Sequence, residues 1–225
     1  MVSLWTIAQP IVESTPKRDE QMEWRMIFWE KLSLAACPAW FTVLVLGALL
    51  HACSGEPQFR GTALDPPRDS LDFTLQDQFG KPVSLRTLRG GVVVLTFLYT
   101  SCPDVCPLIT GKLRETHELI GDAASRLTIL AVTVDPEQDT VRRVYEYSQQ
   151  MDMLDKWHFL VGGMPDLQPI WDYYWVGKVW KDETGNVYHQ APVHLIDQEG
   201  KVHVVYGSTF RPAELVHDIE VLLGR

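Results

Sequence analysis

Two uninterrupted apolar runs dominate the pattern along the chain. Residues 92–99 read VVVLTFLY and residues 127–134 read LTILAVTV. Strands apolar on both faces belong in the middle of a sheet covered on both sides. Upstream, residues 73–75 and 83–85 alternate apolar and polar side chains around Gly80-Lys81, which predicts a hairpin. Downstream, helical spacing covers residues 107–120, 140–151 and 165–174, with a short strand at 157–161 between the last two. A second hairpin, 193–196 with 202–206, turns at Glu199-Gly200. Pro212 then opens a final helix to residue 223, at the position where proline is favoured.

Strand, helix, strand, helix, antiparallel hairpin and closing helix is the order of a thioredoxin-like fold. It predicts an α/β domain over residues 71–225, with a central mixed sheet flanked by helices. Residues 54–70, SGEPQFRGTALDPPRDS, hold several Pro and Gly without apolar periodicity and read as a linker. Ahead of it, residues 32–52 (LSLAACPAWFTVLVLGALLHA) carry no Asp, Glu, Lys or Arg. About 20 apolar residues suffice to span a bilayer as a helix. The run ends Leu50-His51-Ala52-Cys53, which resembles a bacterial lipobox, so residues 32–53 read as a signal or anchor segment. Either lipidated Cys53 or an uncleaved transmembrane helix would hold the domain at the extracytoplasmic face of a membrane. Residues 1–31 read as a disordered tail or as a start assigned too early, with Met22 and Met26 as alternative starts.

A formal net charge of −9, with no Lys/Arg cluster, argues against a nucleic-acid partner and favours a basic one. The four cysteines form two unrelated pairs. Cys37 and Cys53 lie within the apolar N-terminal segment, whereas Cys102 and Cys106 lie inside the domain. That is too few for a disulfide scaffold.

The second pair sits in Ser101-Cys-Pro-Asp-Val-Cys-Pro107, between a buried strand and a helix. Pro107 at the first helical position would make Cys106 the N-cap or its neighbour, with Cys102 in the preceding loop. Both sulfurs would then face the positive end of a helix dipole, which favours thiolate. Thiolate ligates metals and also attacks disulfides, so position alone leaves both chemistries open. The three intervening residues, rather than two, leave room for an ion between the sulfurs. Of the seven histidines, His117 lies about 16 Å along the helix from Cys106, too far to share an ion. His51, His158, His203 and His217 carry no signal beyond their presence. His189 and His194 remain open on this reading.

FLYTSCPDVCP followed by LTILAVTVDPEQDT, with FTLQDQFGKPVSLRTLRGG before them, resembles the SCO/SenC family from about Asp72 to the final helix. The resemblance implies a copper protein with Cys102, Cys106 and His189 as ligands. His189 matches the family's metal histidine on the loop entering the penultimate strand, with His194 inside the strand. Two soft thiolates suit copper(I), and an imidazole completes a site that also takes copper(II). The implied role is copper delivery to the copper A centre of cytochrome c oxidase subunit II. The alternative is a membrane-tethered thiol–disulfide reductase in which Cys102 and Cys106 are a redox-active pair, acting on that subunit or on another copper or thiol partner. Pro192, where thioredoxins carry a cis-proline beside their cysteines, favours that alternative. Asp135, at the end of a buried strand, is a candidate to orient His189, or else simply ends its strand while Asp139 or Thr140 caps the next helix. Trp171, Tyr173, Tyr174, Trp175 and Trp180 form an aromatic group read as core and loop packing, or in part as a docking face.

Overall fold

The computed structural model describes residues 58–225, so the expected signal or anchor segment with Cys37 and Cys53 lies outside the described residues. Among the described residues no helix is long and apolar enough to cross a membrane. Ten strands and four α-helices build the domain. Strands β1 (Thr62–Asp69), β2 (Thr74–Gln76), β3 (Pro82–Ser84) and β4 (Val92–Leu98) precede helix α1 (Val105–Leu119). Next come β5 (Leu127–Thr133), α2 (Val141–Gln150), β6 (His158–Leu160) and α3 (Met164–Tyr173). The chain closes with β7 (Trp180–Lys181), β8 (Val187–Tyr188), β9 (Val193–Ile196), β10 (Lys201–Tyr206) and α4 (Pro212–Leu222).

The main sheet runs β1-β10-β9-β4-β5-β6. β4, β5 and β6 are parallel, and β9, β10 and β1 continue the sheet antiparallel. Every residue of β4 and β9 is buried, because both lie inside the sheet with covered faces. Parallel neighbours need crossover helices, and right-handed crossovers bring α1 and α2 to one side. There Thr110 of α1 meets Tyr147 of α2, hydroxyl to hydroxyl at 3.0 Å, and α4 packs beside α1. Phe97 of β4 meets Tyr174, just past α3. The predicted mixed α/β sheet with flanking helices is therefore present.

Residues 62–69, part of the stretch read as a linker, instead form edge strand β1 on β10. Pro66 and Pro67 hid it. They fall in the irregularity between the Ala63–Val204 and Arg68–Val202 pairs, and an edge tolerates the missing N–H groups. α1 also starts earlier than expected, at Val105 with Asp104 as N-cap, so Cys106 and Pro107 lie inside its first turn. The N–H groups of a first turn have no intrahelical acceptor, and the proline there forfeits nothing. Thr140 does cap α2, its Oγ1 accepting from the Arg143 N–H at 3.3 Å.

His194 is fully buried in β9, opposite Leu95 of β4. Its Nε2 donates to the Tyr174 carbonyl at 2.9 Å, and the rings of Phe97, Tyr174 and Trp175 enclose it. Burial pushes its pKa down from 6.5 to about 4. Above pH 6.5 the ring is neutral in both folded and unfolded chains. Between 6.5 and 4 the unfolded chain takes up a proton that the native core refuses, so stability falls as pH falls through that window. The full loss is about 3 kcal/mol. Urea unfolding of wild type and His194→Asn at pH 7.0, 6.0 and 5.0 is expected to give a steeper loss for wild type. Parallel pH curves would mean that His194 ionises freely in the native state.

Candidate metal and thiol site

The parallel strands end at a cleft of about 880 Å³, lined by the cysteine loop on one bank and by residues 186–192 on the other. β4 delivers the chain into the cysteine loop through Tyr99. The turn is tied down by the Cys102 N–H, which donates to the Tyr99 carbonyl at 3.4 Å. Cys102 is half-buried in the loop and Cys106 is buried in the first turn of α1, and both are free thiols. The Cys106 N–H, one of the donors a helix start leaves unused, points at Cys102 Sγ from 3.4 Å.

The pair is electrostatically unequal. The Cys106 side chain, hydrogen-bonded to Cys102, pulls the Cys102 pKa down to about 5, and backbone N–H groups of Asp104 and Cys106 add to the effect. Cys106 moves the other way, because donating to Cys102 and being buried both hold its proton. At neutral pH the pair is thus one thiolate facing the cleft and one protonated thiol behind it, sharing a hydrogen bond.

His189 follows directly on β8 and lines the same cleft. Its Nδ1 lies 2.7 Å from the Gln190 carbonyl oxygen. A carbonyl only accepts, so Nδ1 carries the proton and Nε2 keeps its lone pair. Burial lowers its pKa, which favours the neutral form that a metal requires. Yet no three His, Cys, Asp or Glu side chains are gathered closely enough to hold an ion among the described residues. The donors share a cleft without being closed around a point, so chelation requires His189 to approach the sulfurs.

The other expected participants have different partners. Asp135 is buried at the end of β5, where the Lys181 ammonium lies 2.7 Å from its Oδ1. That contact is ionic and poorly aligned, since both Asp135 oxygens lack a properly directed hydrogen bond. Lys181 also reaches Glu137 at 2.8 Å, and the bridge pins β7 to the end of β5. Asp135 therefore acts on the segment that carries His189, with no hydrogen bond to the imidazole. Asp139 accepts from the Thr100 N–H at 3.1 Å and from the Thr133 hydroxyl at 2.6 Å, tying the ends of β4 and β5 together under the cysteine loop.

The remaining histidines in the described residues lie elsewhere: His117 in the last turn of α1, His158 with Asp77, His203 with Asp197, and His217 with the Gln58 carbonyl. Pro192 does line the cleft, but Asp65–Pro66 is the one cis bond among the described residues. The cis geometry that would strengthen the thiol–disulfide reading is absent there.

The aromatic group divides. Trp171 and Tyr174 are core, and Trp171 Nε1 donates to the Thr133 carbonyl. Arg68 lies over the rings of Tyr173 and Trp175. Trp175 and Trp180 are about half exposed, and Trp175 adopts φ of 58°, a left-handed conformation costly for a bulky side chain. Trp180 stacks on exposed Tyr188 at 4.3 Å, and Val105 is exposed on α1 across the cleft. Val105, Trp175 and Tyr188 line the cleft itself, so the thiol site has an apolar rim.

Comparison with known proteins bears on the whole domain. The SCO1/SenC family model matches residues 62–224, which includes β1. A SCO1 protein homolog of Bacillus subtilis is 29% identical over 157 residues, covering 68% of this chain and 79% of that protein. The crystal structure of a SCO1/SenC family lipoprotein from Bacillus anthracis superposes with a TM-score of 0.64 at 27% identity, over 72% of this chain and 99% of that one. ScoI of Bradyrhizobium japonicum, solved with copper bound, gives a TM-score of 0.61 at 28% identity over 69% of this chain and 99% of its own. With a family model spanning nearly all of the described residues, and solved relatives superposing over almost their full length, the chain belongs to the SCO1/SenC family.

Proposed function

We propose that this protein is a copper carrier, which binds the ion through Cys102, Cys106 and His189 and delivers it to cytochrome c oxidase at the copper A centre of subunit II. The observation that carries the reading is the shared cleft. A thiolate, a thiol hydrogen-bonded to it and a neutral imidazole with a free Nε2 all line it. Two sulfurs and one nitrogen suit copper over magnesium or calcium, because the soft donors fit copper(I) and the imidazole extends the set to copper(II). The open arrangement also suits a carrier, since a ligand that must move in can move out when the ion is handed on. The copper-bound relative at 28% identity supports the same assignment. An anchor at residues 32–53, through lipidated Cys53 or as an uncleaved transmembrane helix, would hold donor and recipient on one membrane face. The apolar rim supplies a surface for docking.

The asymmetry of the cysteines favours a second reading, reduction of a partner's disulfide. Cys102 thiolate would attack one partner sulfur and release the other, which takes the proton of Cys106. The Cys106 thiolate would then attack Cys102 Sγ and displace the partner sulfur still bonded there, which takes a proton from water, leaving a Cys102–Cys106 disulfide and a partner dithiol. One experiment separates the readings. Reduced metal-free protein receives one equivalent of copper(II) without oxygen while visible and paramagnetic resonance spectra are recorded. A stable thiolate-to-copper charge-transfer band is the expected result. Rapid formation of the Cys102–Cys106 disulfide with no lasting copper(II) complex would sink the carrier role and leave the reductase.

A further inference from the structure

Tyr99 touches both halves of the site. Its carbonyl accepts the Cys102 N–H, which fixes the start of the cysteine loop. Its hydroxyl reaches across the cleft to Val187, donating to the carbonyl at 3.3 Å and accepting from the N–H at 3.4 Å. Its ring stands edge-on to the His189 imidazole, with centroids 5.9 Å apart and planes at 73°.

The geometry of the β7–β8 hairpin explains why Val187 needs such a partner. Asp182 N–H bonds to the Asn186 carbonyl, so the next pair, Lys181 with Val187, is a non-hydrogen-bonded one. Both main-chain groups of Val187 therefore point away from β7, although the residue is buried. Buried peptide groups require partners, and one phenol hydroxyl serves as acceptor for one and donor to the other. Tyr99 itself cannot drift, because it extends fully buried β4 and is only 4% exposed. A rigid strand thus holds the segment two residues before His189 at a fixed distance from the cysteine loop.

We propose that Tyr99 is a positioning residue whose hydroxyl ties Val187 down and so sets the gap between the cysteine pair and His189, favouring copper(II) capture, which needs the imidazole, over copper(I), which two sulfurs hold. The proposal rests on the copper reading above and adds the residue that governs it. Phenylalanine at this position would keep the ring, its packing and the main-chain bond to Cys102, and would remove only the hydroxyl.

The test compares full-length wild type, Tyr99→Phe and Tyr147→Phe in detergent. The last variant removes a buried hydroxyl bonded to Thr110 and controls for general loosening of the core. In the metal-free reduced protein, amide exchange of residues 186–190 is expected to rise about tenfold in Tyr99→Phe alone. Copper(II) affinity should fall about tenfold, as for other groups that orient a ligand, while copper(I) affinity stays within about threefold. Unchanged exchange at 186–190 would overturn the tether, and equal loss of both ions would overturn the discrimination. The exchange experiment contains no metal, so it judges the tether even if wild type proves to take up no copper, a result that would instead refute the carrier reading.

Discussion

Replacing His189 with alanine is expected to cut copper(II) affinity by about a thousandfold while leaving copper(I) affinity within about tenfold of wild type. The asymmetry follows from the donors. Copper(I) is soft and content with two sulfurs, whereas copper(II) prefers a third, harder nitrogen donor. Disturbing a group that merely orients a metal ligand costs about 10–100-fold in affinity, and removing the ligand itself costs more. Neutral His189, with its Nδ1 proton on the Gln190 carbonyl, offers Nε2 without first shedding a proton. Cys102→Ser and Cys106→Ser should instead abolish both forms, because each leaves a single sulfur. Anaerobic competition against chelators of known affinity, run for both ions, reads all three variants. Equal losses for the two ions in His189→Ala would mean that the imidazole is not a ligand and that its place in the cleft is incidental.

The central strands were legible because their signal is local. VVVLTFLY and LTILAVTV are apolar without interruption, and only an interior strand accommodates that. The cysteine pair at a strand-to-helix turn was legible for a similar reason, since a proline beside it marks a helix start. Strand β1 was not, because its pairing partner lies far away in sequence, and its prolines look like a linker until β10 supplies the edge. The β7–β8 hairpin was missed too. Two-residue strands with charged and exposed side chains carry no periodicity, and Asp182 organises their turn through Thr184 and Asn186.

Site residues divide along the same line. Residue type and chain position pointed to Cys102 and Cys106, and family resemblance chose His189 over His194. The burial of His194 between β4 and α3 supplies a physical reason for its exclusion that no local pattern contained. Asp135 and Tyr99 depend on tertiary contacts alone. A carboxylate after a buried strand suggests a site, but its partner Lys181 comes from a hairpin that was not foreseen. A tyrosine ending an apolar run looks like core, and only the fold reveals that its hydroxyl meets Val187.

The largest stability effect is expected far from the cleft, at Asp218 of α4. This carboxylate is fully buried, and it accepts the N–H groups of Arg60 and Gly61, at 2.8 and 3.0 Å, and the hydroxyl of Tyr206. It joins three elements that are distant in sequence: the approach to β1, the end of β10 and the final helix. Asp218→Ala would leave the peptide N–H groups of Arg60 and Gly61 without their acceptor and the Tyr206 hydroxyl with only the Glu214 carbonyl, at a cost of about 3–5 kcal/mol. For a domain of this size that lowers the midpoint of thermal unfolding by roughly 10–15 °C. Tyr206→Phe removes one donor and leaves the carboxylate with its two N–H partners, so its loss should be near 1 kcal/mol. β1 is the first strand of the described residues, and its junction with α4 and β10 closes the edge of the main sheet. Calorimetry on both variants, with proteolysis near residue 60 as the local probe, tests the point. If Asp218→Ala melts within 3 °C of wild type, Asp218 does not secure the start of the domain, and β1 must be held by its ladder with β10 alone.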